Sequence, residues 1–377
     1  MKIAKSHETE DTFQQIPHFE EAHQDQNPGR QLQKIKETVP DFKEWFKKTG
    51  KASAFHSFDL IKIPYPKKYG LWRAGRSPVP YIWFTNRMFI VQWEAEGRTW
   101  TLLNEPSETE LDEGTPFYSA LIEKYGDFLS GFLSKRMGTV EGYLDEVGLK
   151  PEDVDFITYD HLHTQDVRRW LGTTKPQEDL NPNEPLKPYF PNAKLIVQQK
   201  EWDILPHLHP LQEIWYQPET YEDIPMEKIL FTNGDILLGP GVALMYTPGH
   251  TQGNHSLVVN TETGIWVSSE NAIAAECLVP EESGIPGLKQ YAKHTKFDVV
   301  INGNTLEYTA RQYNSLIQEK LMADPSTKNA KIPQFFPSSE LTPSIFAIGT
   351  RPSFMHKMVD FGTIKRPEVI TNESSSL

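Results

Sequence analysis

Apolar residues recur at helical spacing in three stretches of the chain. In residues 31–48 the pattern is broken by Pro40, so it predicts one kinked helix or two short ones. Residues 139–147 begin with the good N-cap residue Thr139 and are followed by Gly148, which together mark both ends of a helix. A third helix is indicated by the shared apolar face of Leu306, Ala310, Tyr313 and Ile317.

Short apolar runs between these helices predict strands. Residues 89–93 and 99–103 flank a turn at residues 96–98 and predict a β-hairpin. Another strand, at residues 154–159, leads directly into the sequence Asp160-His161-Leu162-His163. Further strands are predicted at 194–197, 242–246, 256–259 and 265–267. Strands mixed with helices, without a regular βαβ alternation, favour an α+β protein whose sheets are covered by helices on their outer faces.

The two ends of the chain differ from its middle. Residues up to about 30 are polar and predict a loosely docked arm. Beyond about residue 324 prolines interrupt the chain while phenylalanines persist, which is typical of a segment that wraps an existing core or a dimer partner. The last six residues, 372–377, are expected to be disordered. We therefore divide the chain into a polar arm and helical extension (1–57), a central domain (58–323) and a Pro-rich C-terminal extension (324–377).

Composition and charge narrow the class of protein. A formal net charge of −13 argues against nucleic acid and anionic membranes as partners. The single cysteine, Cys277, excludes an intrachain disulfide framework and a four-cysteine zinc module. Because the first residues lack the apolar stretch of a secretory signal, and no later run approaches the length of a membrane span, we expect a cytoplasmic protein.

Three histidines carry the candidate chemistry. In an extended segment, residues two apart point the same way, so His161 and His163 can bind one ion from the end of a strand. His250 follows Pro248 and Gly249 in a tight turn after another predicted strand, a position more typical of function than of packing. The strand-end pair and the histidine of the turn together predict a metal site.

These motifs resemble the metallo-β-lactamase superfamily, and within it the lactonase-like hydrolases. The matching stretches are residues 149–155 leading into the histidine pair, residues 190–194, and residues 241–244 leading into the Thr-Pro-Gly-His-Thr sequence at 247–251. In matching order the resemblance covers roughly residues 89–321. It implies a four-layer αββα sandwich with the metal site at one edge, and it implies that His161, His163 and His250 bind one metal.

The residues that correspond to the family's second metal site depart from its pattern. The family's Asp-His after the histidine pair is replaced by Gln165 and Asp166, its bridging Asp by Glu270, its last His by Asn304, and an early supporting Asp by Asn104. Gln165 and Asn304 offer only weak, neutral oxygens, so we expect one metal rather than two. Asp166 or Glu270 would be its fourth partner and the catalytic base, a role that Gln165 cannot take.

The other polar residues near these motifs are expected to support the metal or to contact substrate. They are Gln165, His255, Asn304 and Asn104. For His255, which follows the turn of His250 closely, a structural role is favoured.

Three functions stay open from the sequence. The first is a metal-dependent hydrolase of an ester, lactone, amide or related small molecule, with zinc favoured over iron or manganese. The second is an iron-dependent redox or oxygenase-type enzyme, because mixed histidine and carboxylate ligands also suit iron. The third is a non-catalytic member with a degenerate site. Aromatic residues clustered at 72–93 favour an apolar or aromatic substrate, and the two long extensions make a homodimer reasonable.

Overall fold

The computed structural model describes residues 13–112, 115–117, 119, 134–303, 306, 308–347 and 349–366. The strands in these ranges are β1 (Gln14–Gln15), β2 (Ala54–Pro66), β3 (Tyr81–Ala95), β4 (Arg98–Asn104), β5 (Lys135–Arg136), β6 (Phe156–Thr158), β7 (Pro176–Gln177), β8 (Asn181–Pro185), β9 (Lys194–Gln198), β10 (Ile229–Thr232), β11 (Ile236–Gly239), β12 (Val242–Tyr246), β13 (His255–Thr261), β14 (Gly264–Ser268), β15 (Ser339–Leu341) and β16 (Asp360–Gly362). The α-helices are α1 (Glu20–Gln24), α2 (Pro28–Lys48), α3 (Lys67–Gly70), α4 (Val140–Val147), α5 (Arg168–Leu171), α6 (Gln199–Ile204), α7 (Leu288–Thr295) and α8 (Thr309–Met322). None of the helices described is long and apolar enough to cross a membrane.

Most strands belong to one of two sheets. The smaller sheet has the order β1-β11-β12-β13-β14, with all neighbours antiparallel. The larger sheet has the order β10-β9-β6-β4-β3-β2-β16, with β15 against β3 and β5 against β2. Its strands β4, β6, β9 and β10 run parallel to one another, and its other pairs are antiparallel. The larger sheet therefore joins a parallel half to an antiparallel half.

The two sheets face each other across a hydrophobic cluster. It takes Val91 and Trp93 from β3 of the larger sheet, and Val242 and Leu244 from β12 of the smaller one. The intervening residue Ala243 points to the other face of its sheet, where it joins a second cluster with residues of α2 and α8. The same outer cluster contains the buried residues of α4. The layers are thus helix, sheet, sheet, helix, which confirms the predicted αββα fold.

Helix α2 runs without interruption through Pro40, where the sequence predicts a kink or a break. Its first turn is capped by Asn27, whose side chain accepts hydrogen bonds from two backbone N–H groups. An internal proline costs a helix about 3 kcal/mol. The buried face of this helix outweighs that cost, because each fully buried Val, Ile or Phe contributes about 1.5–3 kcal/mol. Its buried apolar residues are Ile35, Val39, Phe42 and Phe46.

The polar segment before α2 is packed from residue 13 onward, although the sequence predicts a loosely docked arm. Strand β1 extends the smaller sheet by pairing with β11, and the side chains of Ile16 and Phe19 are buried. Residues 1–12 of the predicted arm lie outside the described ranges, as do residues 372–377.

The aromatic segment after α2 forms the two longest strands of the larger sheet. Strand β2 pairs along its whole length with residues 81–92 of β3, with a bulge between Asp59 and Ile61. The domain boundary predicted at residue 57 falls inside β2. A single strand therefore crosses from the predicted N-terminal extension into the central domain.

The C-terminal extension is built into the core of its own chain. Strand β15 pairs with β3, β16 pairs with β2, and Phe335 and Phe336 are fully buried. The ring of Phe336 lies between the Phe89 ring, at 5.6 Å, and the Arg87 guanidinium, at 4.5 Å. Arg87 in turn donates to Glu340 of β15 at 2.6 Å.

Replacing Phe336 by Ala is expected to lower the free energy of unfolding by about 3–5 kcal/mol, because the truncation leaves a cavity between the sheets. The measurement is urea unfolding of the metal-free chain, followed by circular dichroism. Ile345→Ala is the matched control, since this residue of the same extension is 84% exposed. Its effect should stay within about 0.5 kcal/mol. Equal stability of the two variants would show that the extension is not part of the core.

Candidate metal centre

The three predicted histidines converge at one edge of the sandwich. His161 and His163 follow β6 of the larger sheet, and His250 lies in the turn after β12 of the smaller sheet. The backbone N–H of His255 donates to the carbonyl of Asp160 at 2.9 Å, which joins the two sheets beside this point. One ligand nitrogen from each of His161, His163 and His250 lies within 4.8 Å of the other two.

The side-chain nitrogens of these histidines fit a metal ion. Nε2 of His163 donates to Oε1 of Gln212 at 2.8 Å, and Nδ1 of His250 lies 3.4 Å from the carbonyl of Asn302. These contacts leave Nδ1 of His163 and Nε2 of His250 buried with no hydrogen-bond partner. A buried lone pair without a partner is unfavourable, and a metal ion would satisfy it.

Burial keeps the three rings neutral. It lowers the pKa of His250 to about 4, and it lowers the pKa values of His161 and His163 well below the usual range. The neighbouring imidazoles act in the same direction on His161 and His163. Neutral imidazole is the form that binds a metal, so the site is suited to a metal at neutral pH.

The backbone around the centre is constrained at three positions. Gly249 has φ +137°, and a Cβ there would come within 2.1 Å of the backbone nitrogen of Gln312. Thr164, directly after His163, and Glu105 are non-glycine residues with φ values of 62° and 58°. Such conformations cost about 1–3 kcal/mol each and persist only where the surroundings enforce them. The turn of His250 therefore requires a glycine, and the loop that carries the histidine pair continues through a strained residue, Thr164.

The two candidate carboxylates have different surroundings. Oε2 of Glu270 lies 3.8 Å from Nε2 of His161, and burial raises the pKa of Glu270 to about 8. Both oxygens of Asp166 accept hydrogen bonds from the guanidinium of Arg168, the shortest at 2.6 Å. Arg168 also pairs with Asp179. The structure thus brings Glu270 to the histidines and places Asp166 in an ion pair.

Three of the other predicted site residues are buried, and the fourth lies outside the described ranges. Asn104 is fully buried, and neither of its side-chain polar atoms has a hydrogen-bond partner. Oε1 of Gln165 is also buried without a partner. Nε2 of His255 lies 2.9 Å from Oγ1 of Thr158, while its Nδ1 is buried without a hydrogen-bond partner. Asn304 lies outside the described ranges.

A pair of buried carboxylates beside the centre was missed by the sequence reasoning. The backbone N–H of Asp160 donates to Oε1 of Glu105 at 2.5 Å. Burial, reinforced by neighbouring carboxylates, raises the pKa values of both groups well above the usual range. Asp160 also accepts from the hydroxyl of Ser338 at 2.7 Å, and Ser339 hydrogen-bonds Glu270. Asp160 adjoins the histidine pair in sequence, but nothing in the sequence pointed to the two serines of the C-terminal extension.

Glu201 on α6 links the two histidine-bearing segments. Its Oε1 accepts from the backbone N–H of Leu162, between the paired histidines, at 2.9 Å. Its Oε2 accepts from the hydroxyl of Thr251 at 2.6 Å and from the N–H of Gly253 at 3.2 Å. The hydroxyl of Tyr216, whose ring packs against His163, also donates to it at 2.7 Å. One buried carboxylate therefore positions both segments.

Aromatic side chains lie on the His163 side of the centre. The ring centroid of Trp215 is 6.0 Å from that of His163, and Phe117 packs on Trp215 at 4.6 Å. Tyr69 also contacts Trp215, at 5.8 Å. These rings form an apolar wall beside the histidines.

An αββα sandwich with three histidines at one edge is the arrangement that the resemblance to the metallo-β-lactamase superfamily implied. No family model matches the sequence. An N-acyl homoserine lactonase of Bacillus cereus is 28% identical over 172 residues, which cover 43% of this chain and 58% of that protein. The N-acyl homoserine lactonase AiiA of Bacillus thuringiensis subsp. kurstaki is 29% identical over 170 residues, with the same coverage. The match spans less than two thirds of these relatives, and it confirms the predicted resemblance to lactonase-like hydrolases.

Solved structures with a related fold have low sequence identity. A probable metal-dependent hydrolase from Staphylococcus aureus has a TM-score of 0.48 at 13% identity, covering 71% of this chain and 83% of that one. AidC, described as a dizinc quorum-quenching lactonase, has a TM-score of 0.44 at 14% identity, covering 80% and 99%. Likenesses at this level do not bear on the substrate or metal content of this chain.

Replacing Glu201 by Gln is expected to weaken zinc binding about 10–100-fold, the usual effect of losing a group that orients metal ligands. The amide has one accepting oxygen in place of two, so one of the two segments loses its hydrogen bonds. The measurement is competition with a chelator of known zinc affinity. The exposed residue Glu227 gives a control of equal charge change, Glu227→Gln. An equal zinc affinity of both variants, with unchanged circular dichroism, would contradict the positioning role.

Proposed function

We propose that this protein is a metal-dependent hydrolase that opens a lactone or cleaves a related small-molecule ester at a centre with one zinc ion. The observation that carries the proposal is the set of three buried, neutral imidazoles whose ligand nitrogens lie within 4.8 Å of one another. Zinc held by three imidazoles lowers the pKa of its bound water towards about 7 and supplies hydroxide at neutral pH.

Neighbouring residues of the chain determine the orientation and the spacing of the imidazole rings. The side chain of Gln212 contacts Nε2 of His163, and the carbonyl of Asn302 contacts Nδ1 of His250. These contacts fix the orientation and the tautomer of the two rings. Glu201 sets the distance between the segments that carry them. The ligand set is thereby organised before a metal binds.

Glu270 is proposed as the fourth partner of the metal, whose binding would displace the proton that burial keeps on this carboxyl. As a carboxylate, Glu270 would then be the group that takes the proton from the attacking water. Its carboxylate already lies next to His161, and Asn302 donates to its Oε1 at 3.4 Å. Asp166 is a weaker candidate for both roles, because its two oxygens are occupied by Arg168. Removing Arg168 from Asp166 would leave a buried charge without a partner.

The remaining candidate ligands favour a single metal, because they offer little negative charge to a second ion. Asp166 is held in its ion pair, and Gln165 and Asn104 bring no negative charge. Burial raises the pKa values of Glu105 and Asp160 well above the usual range, so these two carboxyl groups also offer little negative charge to offset the desolvation of a second divalent ion. The chain therefore supports a site with one ion beside Glu270.

The substrate is proposed to be a lactone or ester with an apolar acyl part. The aromatic wall of Trp215, Phe117 and Tyr69 offers an apolar surface next to His163. The relatives matched in sequence are N-acyl homoserine lactonases, whose name describes a substrate of this chemical kind.

An iron-dependent redox enzyme is the second candidate. The observation that favours it is the carboxylate of Glu270 beside three histidines, a mixed ligand set that also suits iron. The third reading, a non-catalytic protein, predicts neither bound metal nor turnover.

The deciding experiment combines metal analysis with a substrate panel. Protein purified without added metal is expected to contain about one equivalent of zinc and no visible absorption. With aliphatic N-acyl lactones and esters, His163→Ala should lower kcat/KM at least about 100-fold, because a metal ligand is lost. His207→Ala is the matched control, since His207 is an exposed histidine of a second His-x-His sequence.

Other outcomes select the alternatives. Iron with visible absorption and no hydrolysis would favour redox chemistry. Less than about a tenth of an equivalent of any transition metal, with no stabilisation by added zinc or iron, would favour a non-catalytic protein. Hydrolysis unchanged in His163→Ala would contradict the proposed hydrolase centre.

A further inference from the structure

A small pocket of about 100 Å³ adjoins the turn that carries His250. Its walls come from α6, the end of β12, the turn that follows and the start of α8. It is lined by Lys200, Tyr246, Pro248, Gly249, Gln252, Tyr308 and Arg311. None of the proposed metal ligands lines this pocket, so it is a separate site.

The pocket is positively charged. Lys200 and Arg311 both line it, and neither has an acidic side chain within ion-pair distance among the residues described. Burial, and then the nearby Arg311, lower the pKa of Lys200. Burial, Lys200 and Arg311 together lower the pKa of the neighbouring His23 to about 4. Asp235, which lies 3.8 Å from His23, is kept protonated because burial raises its pKa to about 8.

The like charges repel each other, and the π face of Tyr246, whose ring centroid is 4.7 Å from Nζ of Lys200, offsets only part of that repulsion. Two unit charges held close together in a partly buried site cost free energy unless a counter-charge is present. The rest of this chain is acidic, with a net charge of −13. A local positive pocket in such a chain is selective for anions.

The pocket has hydrogen-bond donors to spare. The Lys200 ammonium group has three N–H donors and uses one on the hydroxyl of Tyr246, at 3.1 Å. Arg311 has five N–H donors and gives one to Gln26, at 3.3 Å. The hydroxyl of Tyr308 accepts from the side chain of Gln252, so its own proton is available to a ligand.

We propose that this pocket binds a phosphate group, either free phosphate or the phosphate of a larger metabolite. A guanidinium fork, an ammonium group and a phenol match the several acceptor oxygens of phosphate better than the two oxygens of a carboxylate. The small volume suits the phosphate group itself. The inference stands independently of the proposed hydrolase function, because its charged residues, Lys200 and Arg311, are not among the proposed metal ligands.

The test is calorimetric titration of the full chain with inorganic phosphate after the metal has been removed by a chelator. Removing the metal eliminates phosphate binding at the three histidines. We expect saturable binding of one phosphate, weakened at least about tenfold in the double variant Lys200→Gln/Arg311→Gln, because two charge-assisted contacts are lost. Acetate, titrated in parallel, should bind more weakly than phosphate.

The control is Lys187→Gln/Arg351→Gln, which removes the same two charges at exposed positions outside the pocket. It should bind phosphate as the unaltered chain does. Phosphate binding that requires zinc, or that falls equally in both double variants, would overturn the proposal. Acetate binding as tight as phosphate binding would overturn the choice of phosphate. Unchanged circular dichroism of the variants shows that any loss is local.

Discussion

Burying three neutral imidazoles against one another is the constraint on which the rest of this site depends. Each ring must present a lone pair to the same point, which requires that its other polar contacts be fixed by hydrogen bonds from elsewhere in the chain. Gln212 and Asn302 supply those contacts for His163 and His250. Glu201 then holds the two segments together with a single buried carboxylate. The histidines alone would not make the centre without this support.

The contacts of Asp166 and Glu270 distinguish two carboxylates that the sequence cannot tell apart. Asp166 and Glu270 both follow motifs of the metal-binding fold, and both are candidates for the same roles. Asp166 meets the guanidinium of Arg168, and this ion pair occupies both of its oxygens. Glu270 meets His161 and donors from Asn302 and Ser339 instead. We therefore propose Glu270, rather than Asp166, as the carboxylate that takes part in the chemistry of this centre.

The C-terminal extension is part of the site as well as part of the core. Phe336 fills space between the sheets, and Ser338 and Ser339, immediately before and at the start of strand β15, hydrogen-bond the carboxyl groups of Asp160 and Glu270 next to the histidines. A segment that lies outside the resemblance to lactonase-like hydrolases thus contributes to the acidic side of the centre.

The sequence by itself predicted those secondary-structure elements and candidate metal ligands that are marked by a local pattern of residues. Helical periodicity, a Thr139 cap and Gly148 defined α4, and the spacing of His161 and His163 with the turn before His250 predicted the metal site. Only the tertiary structure decided which carboxylate reaches the histidines, that α2 continues through Pro40, and that Glu201 joins the two loops. These outcomes depend on contacts between residues far apart in the chain, and burial and pairing energies there exceed the local preferences that a sequence pattern records.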